Sequence, residues 1–345
     1  MGWLRFFLAA SVVISHNGIQ APGISGHLAV MAFFVISGFY MALVLNEKYG
    51  SNISGFYLAR FLRLWPGYII VFLVVVMFIE PMGSQIYQST AVSIYVWFSS
   101  LTMFFYETLW WFGFDTAGNV VFINTPELYK TTPPIINATH MQHMWSVGAE
   151  ICFYIAAPFF ARKLRAVVFL LVLSLIYYLS VKHFLFFHHP LDHRSALNHF
   201  WLFLMGMVSY FGWTKYRNYR CAKKLNALTA SVLGLVIIIS VIEVSLRYFN
   251  SSYVLIVSYF IFLICIIPVF HATRNSKADR LIGEMSYPIY LTHWPIVLIL
   301  ISNHRGSWVW SFIIVGLSLV ASIFLYVAVD KNVEKFRRKL AKSRK

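Results

Sequence analysis

Apolar residues run through this chain in blocks close to twenty long, separated by short polar linkers. Eleven blocks can be marked, at about 4–20, 27–46, 64–80, 91–112, 145–161, 166–181, 196–213, 227–248, 252–271, 286–302 and 308–330. A helix rises about 1.5 Å per residue, so about twenty apolar residues cross a hydrocarbon core of about 30 Å. The pattern predicts an all-α polytopic membrane protein. The first block, one Arg followed by apolar residues, is similar to a signal peptide. It is read instead as a retained first helix, because span after span follows and the block holds polar residues of its own.

The linkers orient the spans. Basic residues gather at 47–63 (Lys48, Arg60, Arg63), 162–165 (Arg162, Lys163, Arg165), 214–224 (Lys215, Arg217, Arg220, Lys223, Lys224) and 274–280 (Arg274, Lys277, Arg280), and most densely at 331–345. If all eleven blocks crossed, this charge would be split between the two faces, against the positive-inside rule. If 91–112 does not cross, every basic linker shares one face. That block is broken by Ser99, Ser100, Thr102 and Glu107 and ends in Trp110 and Trp111, a residue type enriched at membrane interfaces. The expectation is about ten transmembrane helices, with 91–112 interfacial or re-entrant and both termini cytoplasmic. The division is a transmembrane domain at 1–330 and a basic cytoplasmic tail at 331–345. Two external loops follow: 113–143, with Gly113, Gly118, Pro126, Pro133 and Pro134, and 182–195, with His183, His188, His189, Asp192, His193 and Arg194. No internal repeat is visible.

Composition agrees. Of 345 residues, 59% are hydrophobic and 12% charged, against about 25% charged in a soluble domain. The net charge of +16 lies in the linkers and tail, the pattern of cytoplasmic loops under the positive-inside rule, which argues against nucleic acid. Three scattered cysteines, Cys152, Cys221 and Cys265, have no metal-ligand spacing and suggest no disulfide. No metal site is expected.

Ionisable residues within spans are costly and therefore candidates for function. Arg5 and His16 are eleven residues apart, about three helical turns and about 16 Å, so they share one face. With Arg5 at the cytoplasmic rim, His16 falls near mid-membrane, where an imidazole can serve as a general base. A histidine bonded to a neighbouring helix is the plainer alternative. Glu150, some 7–8 Å into a span beginning at Trp145, can orient His16 as the acid of a triad does, or pair structurally with an Arg. Arg60 and Arg63 share one side of a turn and suit phosphate, or simply obey the positive-inside rule. Ser286, Tyr290 and His293 can face one cavity at helical spacing, or serve bonds within the bundle. Ser37-Gly38 permits close helix approach.

In this order the residues resemble the acyltransferase 3 family of bacterial membrane O-acyltransferases, from Arg5 to about residue 330. The marks are Arg5-x10-His16, Phe-Phe-x-x-Ser-Gly at 33–38, Arg60-x-x-Arg63 with Pro66, and Trp-Ser-x-x-x-Glu-x-x-Phe-Tyr at 145–154. Phe203 with Gly206, and Ser-Tyr-x-x-Tyr-Leu-x-His-x-Pro at 286–295, complete the set. Ala59, Val147-Gly148-Ala149 and Ile151-Cys152 depart from the usual pattern. The resemblance implies transfer of an acetyl group from cytoplasmic acetyl-CoA to a hydroxyl of a surface glycan or lipid-linked sugar, such as O-antigen, exopolysaccharide or lipo-oligosaccharide. Acetyl-CoA is then a substrate, and no cofactor is permanently bound. The resemblance implies catalytic roles for His16, Glu150 and Arg5. It implies substrate-binding roles for Arg60, Arg63, Ser37, Trp145, Ser146, Tyr154, Ser286, Tyr290 and His293, in a bacterial inner membrane. Some members carry an extra extracytoplasmic domain; this chain is expected to work alone or with a separate partner. The rival reading is a transporter or flippase for a lipid-linked glycan, whose usual repeats and paired broken helices are not seen.

Overall fold

The computed structural model describes residues 1–19, 26–183, 192–217 and 252–342. Cys221, His188, His189 and the apolar block at 227–248 lie outside the described residues. The rest is overwhelmingly helical. The helices are α1 (Gly2–His16), α2 (Gly26–Val44), α3 (Ile53–Val74), α4 (Thr90–Thr102), α5 (Pro126–Thr131) and α6 (Trp145–Phe160). Then come α7 (Leu164–His183), α8 (Ala196–Tyr216), α9 (Ser252–Thr273), α10 (Lys277–His304), α11 (Trp308–Leu325) and α12 (Lys331–Lys342). Among the described residues, five helical segments are long and apolar enough to cross a bilayer: Gly26–Tyr49, Ile53–Ile79, Leu164–Lys182, Ile256–Thr273 and Trp308–Phe336. Side chains such as Phe78, Phe159, Phe169, Ile264 and Phe324 project outward from the bundle. So much exposed apolar surface is stable only against lipid.

The segment α2 is the hub: 78% of its apolar window is buried, against 22% for the peripheral segments 164–182 and 308–336. It packs on α8 with the backbones nearly touching. A methyl group added to Gly38 would fall 1.9 Å from the carbonyl oxygen of Phe203, and one on Gly206 would fall 1.8 Å from that of Val35. Only glycine fits at either point, the close approach expected of Ser37-Gly38. Helix α1 is held to α10 in the same way, since a methyl on Gly2 would meet the Asp279 carbonyl oxygen. The Asp279 carboxylate also accepts from the backbone N–H groups of Gly2 (2.8 Å) and Trp3 (3.1 Å), satisfying free donors at the start of α1.

The structure adds detail at three places read from the sequence. The block at 91–112 is not one helix. Its helix α4 stops at Thr102, and Met103 (φ 63°) and Phe105 (φ 55°) turn the chain left-handed. Thirteen helical residues reach about 20 Å, short of a hydrocarbon core. The loop at 113–143 is structured: strands β1 (Phe112–Phe114) and β2 (Val120–Phe122) pair antiparallel, and α5 follows. The Asp115 carboxylate closes the ribbon's turn by accepting from Ala117 and Asn119, an Asx turn. Finally, α1 ends at His16, where Gly18 (φ 82°) reverses the chain. Asn17 donates to the Ser307 carbonyl and to Ser311 Oγ at the start of α11. His16 therefore sits at a helix end, rather than midway along a helix running to residue 20.

Candidate active site

Two sites meet inside the bundle. The first is a cavity of about 430 Å³ at the end where the basic linkers gather. Helix α1 presents Arg5 to it and α3 presents Arg60 and Arg63, with exposed Arg274 and Arg280 beside Asp279 at the rim. The cations expected from the sequence are thus brought together. Arg5 and Arg63 form no ion pair with any described acidic residue. The Arg60 guanidinium lies over the rings of Phe56 and Tyr154, 5.8 and 6.0 Å from their centroids.

The wall opposite is a stripe on α6. Ser146, Glu150 and Tyr154 recur every four residues, so one helix face delivers all three to the cavity. Glu150 accepts hydrogen bonds from both the Ser37 hydroxyl and the Tyr154 phenol. It has no hydrogen bond to His16, which corrects the expected triad-like pairing. The reason is rotational: the stripe that carries Glu150 faces Ser37 on α2 and the arginines. Ser286 and Tyr290 of α10 also line the cavity. Ser286 donates to its own helix at the Gly283 carbonyl.

The second site is a histidine cluster beyond Tyr290. His16 Nδ1 lies 3.0 Å from His293 Nε2, with the two rings stacked at 5.0 Å. His293 Nδ1 lies 3.3 Å from the carbonyl oxygen of Ile289. A carbonyl only accepts, so His293 Nδ1 carries its proton and Nε2 is the acceptor. His16 Nδ1 must then be the donor, which leaves a lone pair on His16 Nε2. The partner that fixes a histidine's tautomer decides which nitrogen is basic; here that partner is His293. Neither His16 nor His293 lines the cavity, so the expectation that Ser286, Tyr290 and His293 share one is corrected at His293.

Tyr290 connects the two sites. It lines the cavity, while its ring lies 5.7 Å from that of His293 and 5.1 Å from that of His143. Its hydroxyl donates to the His143 carbonyl and accepts from Ser146 Oγ at 2.8 Å. His143 escaped the sequence reading because it belongs to a short turn without helical phase. Its ring is buried, stacks on Trp294 and leaves both nitrogens without a partner among the described residues. Trp145 does not line the cavity; it packs edge-on against Phe34 and lies beside His193, His199 and Arg194. No group of three or more His, Cys, Asp or Glu side chains among the described residues is placed to hold a metal ion.

The profile of the acyltransferase domain that defines the acyltransferase 3 family matches residues 1–327. The chain belongs to that family. It is 24% identical over 319 residues to O-acetyltransferase OatA of Staphylococcus aureus, covering 86% of this chain and 50% of that protein. It is 27% identical over 162 residues to peptidoglycan O-acetyltransferase OatA of Listeria monocytogenes, covering 46% of this chain and 23% of that protein. The chain thus spans at most half the length of these relatives. No solved structure matches it.

Proposed function

We propose that this chain is a multi-pass O-acetyltransferase of a bacterial inner membrane, moving acetyl from acetyl-CoA to a hydroxyl of a surface glycan or lipid-linked sugar. The observation that carries the reading is the convergence of Arg5, Arg60 and Arg63 on one cavity whose far end is Tyr290, next to a histidine pair. Acetyl-CoA ends in several phosphate charges, which guanidinium groups bind as two-pronged donors. Both termini and the arginine cavity face the cytoplasm in this reading, which brings all basic linkers to one side. The nucleotide stays at the arginine rim while the pantetheine arm reaches along the Ser146–Glu150–Tyr154 stripe.

At the far end His16 Nε2 removes the proton of the acceptor hydroxyl. That oxygen attacks the thioester carbonyl, the tetrahedral oxyanion expels the CoA thiolate, and the proton passes to the thiolate. The products are an acetyl ester and free CoA. His293 keeps His16 in the basic tautomer, and Arg5 supplies positive charge at the cavity wall. Removing a general base costs about 10²–10⁴ in rate.

The test is mass spectrometry of surface glycans from cells carrying the intact chain or His16→Ala at equal protein level. Loss of acetyl ester with the glycan still displayed is the expected result. Glycan that disappears from the surface favours a flippase, and unchanged acetylation rejects the role of His16. In the same cells, an acetyl group found on His16 itself would replace direct transfer by a relay through an acyl-imidazole.

A further inference from the structure

One cation on the histidine side of the bundle takes no part in that transfer. Arg194 precedes α8, and its guanidinium is held between two indole faces, 4.5 Å from Trp110 and 4.5 Å from Trp145. The backbone is pinned as well, since Trp111 Nε1 donates to the Arg194 carbonyl. Two faces of π density stabilise the charge and fix the plane of the fork. Yet no described ion pair includes Arg194, and its Nε is buried without a hydrogen-bond partner. A half-buried, oriented cation without an anion is an incomplete arrangement, because charge withdrawn from water is costly unless paired. The Arg194 charge also acts on His16 and on Tyr290, so it sits within electrostatic reach of the transfer point.

We propose that Arg194, clamped between Trp110 and Trp145, is the subsite for an oxyanion of the acceptor: the carboxylate of an acidic sugar or the phosphate of a lipid-linked one. The inference rests on the acetyltransferase reading and adds the chemical class of its acceptor. A guanidinium whose plane is set by stacking offers its free edge to two oxygens at once, which positions the sugar beside His16. The donor phosphates occupy the arginines at the opposite end, so the two anionic substrates do not compete.

The experiment uses the full chain in detergent with acetyl-CoA and three related acceptors: N-acetylglucosamine, N-acetylmuramic acid, which adds a carboxylate, and N-acetylglucosamine 1-phosphate, which adds a phosphate. The expected result is that one charged acceptor exceeds the neutral one in kcat/KM by about 10-fold or more, the usual range for a charge-assisted bond. Which one exceeds it tells carboxylate from phosphate. Arg194→Gln should bring that ratio close to one, mainly by raising KM, and Arg194→Lys should keep part of it. Equal use of all three acceptors by the intact chain, or an equal loss on all three in Arg194→Gln, overturns the subsite. No transfer to any acceptor counts against the acetyltransferase reading. Arg194 is then judged alone by thermal unfolding with N-acetylmuramic acid or inorganic phosphate. A stabilisation that Arg194→Gln abolishes upholds the subsite, and no stabilisation of the intact chain overturns it.

Discussion

At the residue scale the chemistry turns on a tautomer. His293 donates its Nδ1–H to the Ile289 carbonyl and its Nε2 accepts the hydrogen bond of His16 Nδ1–H, so the basic nitrogen of His16 is Nε2. Replacing His293 with Phe removes that acceptor and frees the His16 ring to turn. We expect kcat to fall about 10- to 100-fold, the scale set by loss of an orienting partner, while the affinity for acetyl-CoA stays within about two-fold because neither histidine lines the cavity. Steady-state kinetics with a separate donor-binding measurement checks this; a loss of donor affinity alone would contradict it. Glu150→Gln should behave in the opposite way. Its carboxylate gathers the Ser37 and Tyr154 hydroxyls at the cavity wall, so its loss should first raise the KM for acetyl-CoA. The polar residues themselves were legible in the sequence, because charge and imidazole inside apolar blocks stand out. Their pairing was not. Whether Glu150 or His293 faces His16 depends on the rotation of three helices about their own axes, which spacing along one helix does not contain. Arg194 was visible only as one of several polar residues in a linker, since its indole partners come from residues 110 and 145.

At the element scale, the contact of α2 with α8 decides whether the cavity exists. Both walls depend on it: Ser37 precedes Gly38 on α2, and Phe203, which meets Gly38, stacks on Phe153 of α6 at 4.1 Å. Gly206→Val places side-chain atoms where the Val35 carbonyl stands, and should cost about 2 kcal/mol or more through overpacking. Gly316 on α11 has no neighbour within 4 Å of an added methyl, so Gly316→Ala should leave stability unchanged or raise it by up to about 1 kcal/mol. Thermal unfolding in detergent compares the two; similar melting temperatures would contradict the packing described. Helix positions were readable from apolar blocks. Helix ends were less so, because α1 stops where Asn17 bonds Ser307 and Ser311 and α4 stops where Met103 turns left-handed. The β1–β2 ribbon was not foreseen, because its strands are three residues each, too short for a period-two pattern to register.

At the scale of the whole molecule, charge is sorted by position. Arg5 and Arg63, which form no ion pair with a described acidic residue, line the cavity at the basic end together with Arg60, and the histidine pair with Arg194 lies toward the other. Donor binding should therefore weaken as salt rises, since partly exposed charges are screened over about 8–10 Å. Arg63→Gln should raise the Kd for acetyl-CoA by about 10-fold, the value of one charge-assisted bond, and flatten its salt dependence. A Kd unmoved by salt and by Arg63→Gln would place the donor elsewhere. The measurement that bears most directly on the account is acetyl transfer in sealed vesicles of defined orientation, with labelled acetyl-CoA supplied only on the face of the basic linkers. The expected result is labelled acetyl ester on an acceptor supplied at the opposite face, abolished by His16→Ala although labelled acetyl-CoA still binds. Transfer that persists in His16→Ala, or that requires acetyl-CoA on the opposite face, would contradict it.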